Sequence, residues 1–295
     1  MDGAVDGLEV MRIPDELETL PETMGRLGYR TFGIADNPNI GWQIGLDRGF
    51  DRFTTFENTG SDQVDAELAS WAEEVVFGEG SWFRVPARHG PARPLPGARA
   101  QLRAAAGPQA AQLRTAAREV ALPFVEAAHA SEIRYCDERI REAFELLHVD
   151  EETVVIFASD HGEELLQRSD QTQHGFKLFS ELTRVPLVIV DPTRPRLRSR
   201  VEANVSTVDL LPTLRDLLGD ETLDEAQVRR CRVPDDAAPH PPAEERPVFS
   251  MRTRLDELGG GELRAVVRGD LELIERDPDV NGRGEVRWLF DLKRD

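Results

Sequence analysis

Thr153-Val-Val-Ile-Phe-Ala-Ser-Asp160-His161-Gly162-Glu163 is the stretch on which the reading of this chain turns. Its first six residues, TVVIFA, form a continuous β-branched and apolar run, the kind of strand that is buried on both faces of a parallel sheet. The four residues that end the stretch are abruptly different. A carboxylate and an imidazole stand side by side where the strand stops, and open α/β sheets bind their ligands outside the carboxyl ends of the strands. Asp160 offers a hard oxygen ligand and His161 a borderline nitrogen one, so the two can converge on one divalent cation. The same spacing also suits a plain turn, with Asp160 and Gly162 making the bend and Asp160 or Glu163 capping the next helix.

Working outward, the segment before the strand predicts a helix over 124–148, with Ile133, Cys136, Ile140, Phe144 and Leu147 on one apolar stripe that must pack on something. After the strand come a polar loop over 159–175, a short helix over 176–183, and a second buried strand from Val185 to Val190. A strand around Val201 to Val205 and a helix from Asp209 to Leu218, ended by Gly219, complete this half. Nearer the start, residues 20–28 read as a helix stopped at Gly28, and Tyr29 to Ala35 as a strand. Asn37 to Phe53 reads as loop, and Asp62 to Phe77 as a helix with Val64, Leu68, Trp71 and Val75 on one stripe. This alternation predicts an α/β layered fold.

Two stretches break the pattern. From Gly78 to about Gly107 the composition turns to Arg, Pro, Gly and Ala, with Pro86, Pro91, Pro94 and Pro96 interrupting any regular element, and reads as a surface excursion followed by an Ala/Arg helix. Residues 220–246 are acidic and proline-rich and read as a connection. Beyond it Pro247–Met251, Leu263–Arg268, Leu271–Glu275 and Val286–Leu292 read as short strands, the middle pair joined by Gly269-Asp270, a two-residue hairpin signal. The expected organisation is therefore an α/β domain over 1–220, a connection over 221–246 and a small antiparallel subdomain over 247–295. No internal repeat is visible.

The chain has 295 residues and a formal net charge of −19, and a field of that sign repels phosphate backbones and anionic lipid surfaces. Nucleic acid and membrane are not expected as partners, and no apolar run approaches the ~20 residues that cross a bilayer. The first 30 residues hold seven carboxylates and three arginines with no apolar core of a signal peptide, so the expected location is cytoplasmic. Cys136 and Cys231 make neither a disulfide framework nor a metal knuckle, in keeping with a reducing compartment. Of 36 basic residues only Lys177 and Lys293 are lysines. That bias, with the acidic excess, resembles the haloarchaeal type of composition, in which salt screens self-repulsion.

His174 follows His161 in the same loop, and Lys177 comes three residues later. Where arginine is the default cation, a lysine is informative: its ammonium is a compact point charge that can shift its pKa and move a proton. The plain alternative is a surface loop histidine and a solvated helix lysine. His129 and His148, on the predicted helix and at its end, and His89 and His240, in the two irregular stretches, read as structural.

Together these residues resemble a known family. Val155-Ile-Phe-Ala-Ser-Asp-His-Gly-Glu, then His174-Gly, then Lys177-Leu-Phe-Ser-Glu-Leu-Thr-Arg-Val-Pro-Leu-Val-Ile, resembles the C-terminal metal and substrate segment of the sulfatases, within the alkaline phosphatase superfamily. Ser206-Thr-Val-Asp209-Leu-Leu-Pro212-Thr-Leu is similar to that family's following helix, Glu132 to Asp137 to its preceding helix, Leu20 to Asn37 to an early helix–strand step, and Trp288-Leu-Phe-Asp-Leu to its last strand. The resemblance implies a three-layer alkaline-phosphatase-like sheet with helices on both faces and a small C-terminal antiparallel sheet. It implies Asp160 and His161 as ligands of one divalent cation, Ca2+ in most sulfatases, with His174 and Lys177 near the sulfate and the leaving-group oxygen. The implied reaction is in-line hydrolysis of a small-molecule or glycan sulfate ester, a cationic acid protonating the departing alkoxide.

Three parts of the family pattern are missing, one of them the substrate-side histidine segment before the helix at 124–148, where the Arg/Ala-rich stretch stands. No Asp-Asp pair follows an N-terminal strand, and no Cys or Ser is followed by x-Pro-x-Arg, so no nucleophile is found and formylglycine is not possible from any motif in this chain. The expectation is a sulfatase relative lacking its front, weak or inactive as it stands. The alternatives are a noncatalytic sulfatase-like binding protein, and a phosphoric-ester hydrolase or transferase of the same superfamily.

Overall fold

The computed structural model describes residues 12–37, 40–57, 61–76, 80–87, 108–168, 174–175, 177–192, 200–220, 222, 246–253, 261–278 and 284–294. The chain divides into two compact units, Met1–Arg93 with Ala127–Asp150, and Pro94–Glu126 with Glu151–Asp295.

The first unit opens with α1 (Leu20–Arg26), started by a capping box: the Glu22 backbone N–H donates to the Thr19 hydroxyl at 3.3 Å, and the Thr19 N–H donates to the Glu22 carboxylate at 2.7 Å. Two otherwise orphaned helix donors are thereby satisfied. Thr19→Ala should cost about 1 kcal/mol, the usual worth of such a cap, read as a lowered midpoint in urea unfolding. Gly28, at φ +88°, ends the turn after α1 and leads into β1 (Arg30–Ala35).

β1 is the middle strand of a parallel sheet, with β2 (Arg52–Thr55) and β3 (Trp82–Ala87) on its two sides. Its apolar side chains Phe32 and Ile34 pack with Val64, Leu68 and Trp71 of α2 (Ser61–Val76) and with Ala143 and Leu147. Val64, Leu68 and Trp71 lie at helical spacing on one face, as the sequence predicts; the side chain of Val75 falls outside the described residues. Glu67, a carboxylate beside this core, accepts from Trp71 Nε1, Thr54 Oγ1 and Arg52 Nη2 at 3.0, 2.9 and 2.8 Å. Burial raises its pKa, but these three donors outweigh it and hold the group below the usual glutamate range.

Three expectations are corrected here. β3 lies at the start of the supposed excursion; it borders the three-stranded sheet, where Pro86 is tolerated because an edge strand can spare an N–H. β2 begins inside the supposed loop. The predicted Ala/Arg helix and the helix over 124–148 are one continuous helix, α3 (Pro108–Leu146), and the apolar stripe is packed only near its end: Leu147 is buried, whereas Ile133 and Phe144 are exposed. Residues 88–107, the rest of the excursion, and 223–245, most of the connection, lie outside the described residues.

In the second unit β4 (Val155–Ala158) pairs antiparallel with β5 (Leu187–Val190) in a two-stranded sheet, with Phe157 opposite Val188 and Val155 opposite Val190. The predicted strands are present, but neither is buried on both faces: Phe157, Val188 and Val190 are exposed. A two-stranded ribbon has no neighbours enough to cover two apolar faces. Val201 to Val205, predicted as a strand, is irregular and mostly exposed. The short helix α4 covers only Ser180–Thr183.

α5 (Leu210–Leu217) is entered through a 3-10 turn over Thr207–Asp209, in which the Ser206 N–H donates to the Asp209 carboxylate at 3.2 Å. Asp209 is buried and also accepts both guanidinium arms of Arg246, so this motif residue serves the frame. The C-terminal strands β6 (Val248–Arg252), β7 (Leu263–Arg268), β8 (Leu271–Arg276) and β9 (Val286–Asp291) form an antiparallel meander. Gly269, at φ +57°, makes the two-residue turn between β7 and β8. On the inner face Leu263, Ala265 and Ile274 pack with Leu178, Phe179, Trp288 and Phe290. The residues just after His174 and Lys177 are thus moored in the C-terminal sheet.

Candidate metal centre

The loop leaving β4 is held from below by its glycine. The Gly162 N–H donates to the Leu182 carbonyl at 2.8 Å, and the chain approaches α4 so closely that a Cβ at Gly162 would lie 2.1 Å from the Glu181 carbonyl oxygen. Only a residue with no side chain fits there. Two residues on, the loop turns inward, with Glu164 and Leu166 buried. Leu166 sits at φ +67°, a conformation that costs a branched residue roughly 1–2 kcal/mol, offset by the ~2 kcal/mol gained from burying its side chain.

Above that anchor the polar groups gather. The His161 N–H donates to Asp160 Oδ1 at 2.9 Å, and Asp160 Oδ2 lies 3.7 Å from His161 Nε2. His161 Nδ1 is 3.0 Å from the Gly162 carbonyl oxygen, which can only accept, so Nδ1 is the donor there and in the neutral ring Nε2 presents the lone pair. The His174 ring lies over that of His161 at 4.1 Å between centroids, and its Nδ1 is 2.5 Å from Glu163 Oε1. His161, Glu163 and His174 each offer a ligand atom within 4.8 Å of the others. All are open enough to meet a solvated ion. Lys177 stands apart, its ammonium 6.0 Å from the centre of the Phe179 ring, with no ion pair to this cluster among the described residues.

Known proteins can be set beside this geometry. A family model described as Sulfatase matches residues 124–220, the segment carrying β4, the loop and β5. Residues 124–220, about a third of the chain, are thus similar to the sulfatases. The Endo-4-O-sulfatase of Bacteroides thetaiotaomicron is 38% identical over 95 residues, 31% of this chain and 18% of that protein. A multifunctional alkaline phosphatase superfamily protein, PehA, of Trinickia caryophylli is 37% identical over 73 residues, 24% of this chain and 14% of that protein. The chain therefore matches less than a fifth of the length of either relative. Among solved structures a 2-O GAG sulfatase superposes with a TM-score of 0.63 at 17% identity, over 97% of this chain and 69% of that one. Ps i-CgsB, solved with k-i-k-neocarrahexaose, superposes with a TM-score of 0.59 at 16% identity, over the whole of this chain and 70% of that one. At such identities the likeness speaks for the fold, which is α/β of the alkaline phosphatase type with a small antiparallel C-terminal sheet.

The fold brings the sequence-predicted residues Asp160, His161 and His174 together and leaves Lys177 outside their direct contacts. Glu163, which the sequence offers as a helix cap, faces His174 and caps no helix among the described residues. The signal that points to it is a carboxylate two residues past a histidine in a loop that carries a second histidine. No described helix is long and apolar enough to cross a membrane.

Proposed function

We propose that this chain carries the metal and leaving-group side of a sulfuric ester hydrolase that acts on sulfated glycans or small sulfate esters. The observation that carries the reading is the meeting of Asp160, His161 and His174 in one open cluster at the carboxyl end of β4, with the imidazoles 4.1 Å apart. The names of the relatives support the same substrate class: an endo-4-O-sulfatase, a 2-O GAG sulfatase, and a protein solved with a carrahexaose.

Asp160 and His161 suit one calcium ion. Their facing atoms, 3.7 Å apart, have about the spacing of neighbouring ligands on a cation bound at ~2.4 Å, and solvent can supply the rest of its 6–8 oxygens. Bound there, calcium would act as a Lewis acid on the sulfate oxygens. In this reading Glu163 fixes the ring of His174 through Nδ1, and the imidazolium would give its Nε2 proton to the departing alkoxide as the ester S–O bond breaks and the sulfuryl group passes to a nucleophile that these residues do not supply. Lys177, held near the Phe179 ring, adds positive charge on the side of the sulfate. No Cys or Ser in the sequence stands before x-Pro-x-Arg, so these residues lack a formylglycine nucleophile and turnover by this chain is weak or nil. The acidic, lysine-poor composition supports a salt-rich, reducing cytoplasm as its setting.

Calorimetry in ~2 M KCl, where charge repulsion is screened, tests the metal assignment. About one equivalent of calcium is expected, with affinity falling at least tenfold in Asp160→Ala; unchanged binding in that variant removes Asp160 and His161 from the role. In the same buffer an aryl sulfate should turn over barely or not at all. Robust hydrolysis would mean a nucleophile that this reading lacks, and preference for an aryl phosphate would shift it to phosphoric esters.

A further inference from the structure

A second pair of observations in the cluster leads beyond calcium. His161 directs Nδ1 to the Gly162 carbonyl at 3.0 Å, which in the neutral ring leaves the lone pair on Nε2, the atom that faces Asp160 at 3.7 Å. A backbone carbonyl on the far nitrogen is the usual outer support of a metal-binding histidine, since it fixes both tautomer and ring orientation. His174 and Glu163 then add a second imidazole and a carboxylate, and ligand atoms of all three residues lie within 4.8 Å of one another.

Two nitrogens and one carboxylate are a poor set for calcium, which collects six to eight oxygens, and a good one for zinc, which takes tetrahedral nitrogen and oxygen ligands. Zinc ligands at ~2.0–2.2 Å from the ion sit roughly 3.4 Å from each other. The contraction from 4.8 Å is within reach of side-chain rotation, because His161 and His174 are exposed and Glu163 is half-buried. The short Glu163–His174 contact opens by about 1 Å to admit the ion at that same spacing.

We propose that His161, Glu163 and His174 form a zinc-class cation site of this chain, with a fourth position left to water. It does not require Asp160. It shares His161 with the calcium pair of the proposed function, so zinc and calcium exclude each other, and zinc-class ions act as inhibitors of any chemistry that needs calcium there. The site is independent of the missing nucleophile.

The test uses the full chain in the same high-salt buffer, titrated with zinc chloride by calorimetry and with cobalt(II) by visible absorption. One equivalent of each ion is expected, with the intense visible bands of tetrahedral cobalt. His174→Ala and Glu163→Gln should each weaken zinc tenfold or more and abolish the cobalt bands, with far-ultraviolet circular dichroism unchanged. Asp160→Ala should leave zinc affinity within about twofold while it lowers calcium affinity. Zinc binding that survives both His174→Ala and Glu163→Gln sits on other histidines and overturns the proposal, as does an equal loss in Asp160→Ala. Failure of the calcium arm alone strikes only the proposed function.

Discussion

Gly162→Ala should destabilise the protein by about 3 kcal/mol and weaken calcium and zinc about a hundredfold, the upper range for forced overpacking. The new Cβ would stand 2.1 Å from the Glu181 carbonyl oxygen, 3.1 Å from its carbon and 3.4 Å from the Leu182 Cα. All three are backbone atoms, so no side-chain rotation relieves the overlap; the loop must lift from α4. Lifting breaks the 2.8 Å hydrogen bond from the Gly162 N–H to the Leu182 carbonyl and withdraws the Gly162 carbonyl that orients the His161 ring. Both ions lose their histidine at once. Gly25→Ala serves as the control, because nothing lies within 4 Å of a Cβ there and the residue is helical, so it should be neutral or slightly stabilising. Urea unfolding of both variants, with calcium and zinc titrations of each, decides the matter; wild-type stability and affinity in Gly162→Ala would mean that the loop is not anchored where the structure has it.

Most elements of this fold are written locally. TVVIFA names a strand through its own side chains, Val64, Leu68 and Trp71 name a helix face by their spacing, and Gly269-Asp270 names a hairpin because few other pairs accept that turn. What stays hidden depends on partners distant in sequence. β3 reads as excursion because arginine and Pro86 mask it, and only its position beside β1 makes the proline harmless. The apolar run at β4 announces that it is a strand but not which neighbour it takes or in which direction, and it pairs antiparallel with β5.

The site follows the same rule. Asp160 and His161 are adjacent, so their convergence needs no tertiary knowledge. Glu163 meets His174 only because the chain doubles back over eleven residues, and nothing in the spacing separates that from a helix cap. Lys177 looked like part of the group by proximity in sequence, yet Leu178 and Phe179, moored in the C-terminal sheet, direct its neighbourhood toward Phe179.

That mooring carries the second large effect, which is one of pH. Glu272, on the inner face of β8 between Val267 and Phe290, is fully buried, and neither of its carboxylate oxygens has a hydrogen-bond partner among the described residues. Burial pushes its pKa up to about 7, against the pull of the Arg168 guanidinium and with added repulsion from Glu181. Arg168 is already occupied: its Nε donates to Glu181 at 2.7 Å and its plane lies 4.8 Å from the Phe290 ring centre. The folded state therefore holds a proton on Glu272 that the unfolded chain releases near the ordinary glutamate pKa. Stability from this group is greatest below about pH 4.5 and falls as pH rises toward 7, by on the order of 3 kcal/mol in all, since each pKa unit is worth about 1.4 kcal/mol. Glu272→Met, which keeps the volume and removes the charge, should be near neutral at pH 5 and stabilise the protein by about 2–3 kcal/mol at pH 8. The readout is the difference between variant and wild type in urea at the two pH values, in which the many exposed carboxylates cancel. A difference that stays constant from pH 5 to pH 8 would mean that Glu272 titrates as an ordinary surface acid. A variant less stable than wild type at pH 8 would mean that the carboxylate, not the apolar face around it, holds Arg168 and the loop in place.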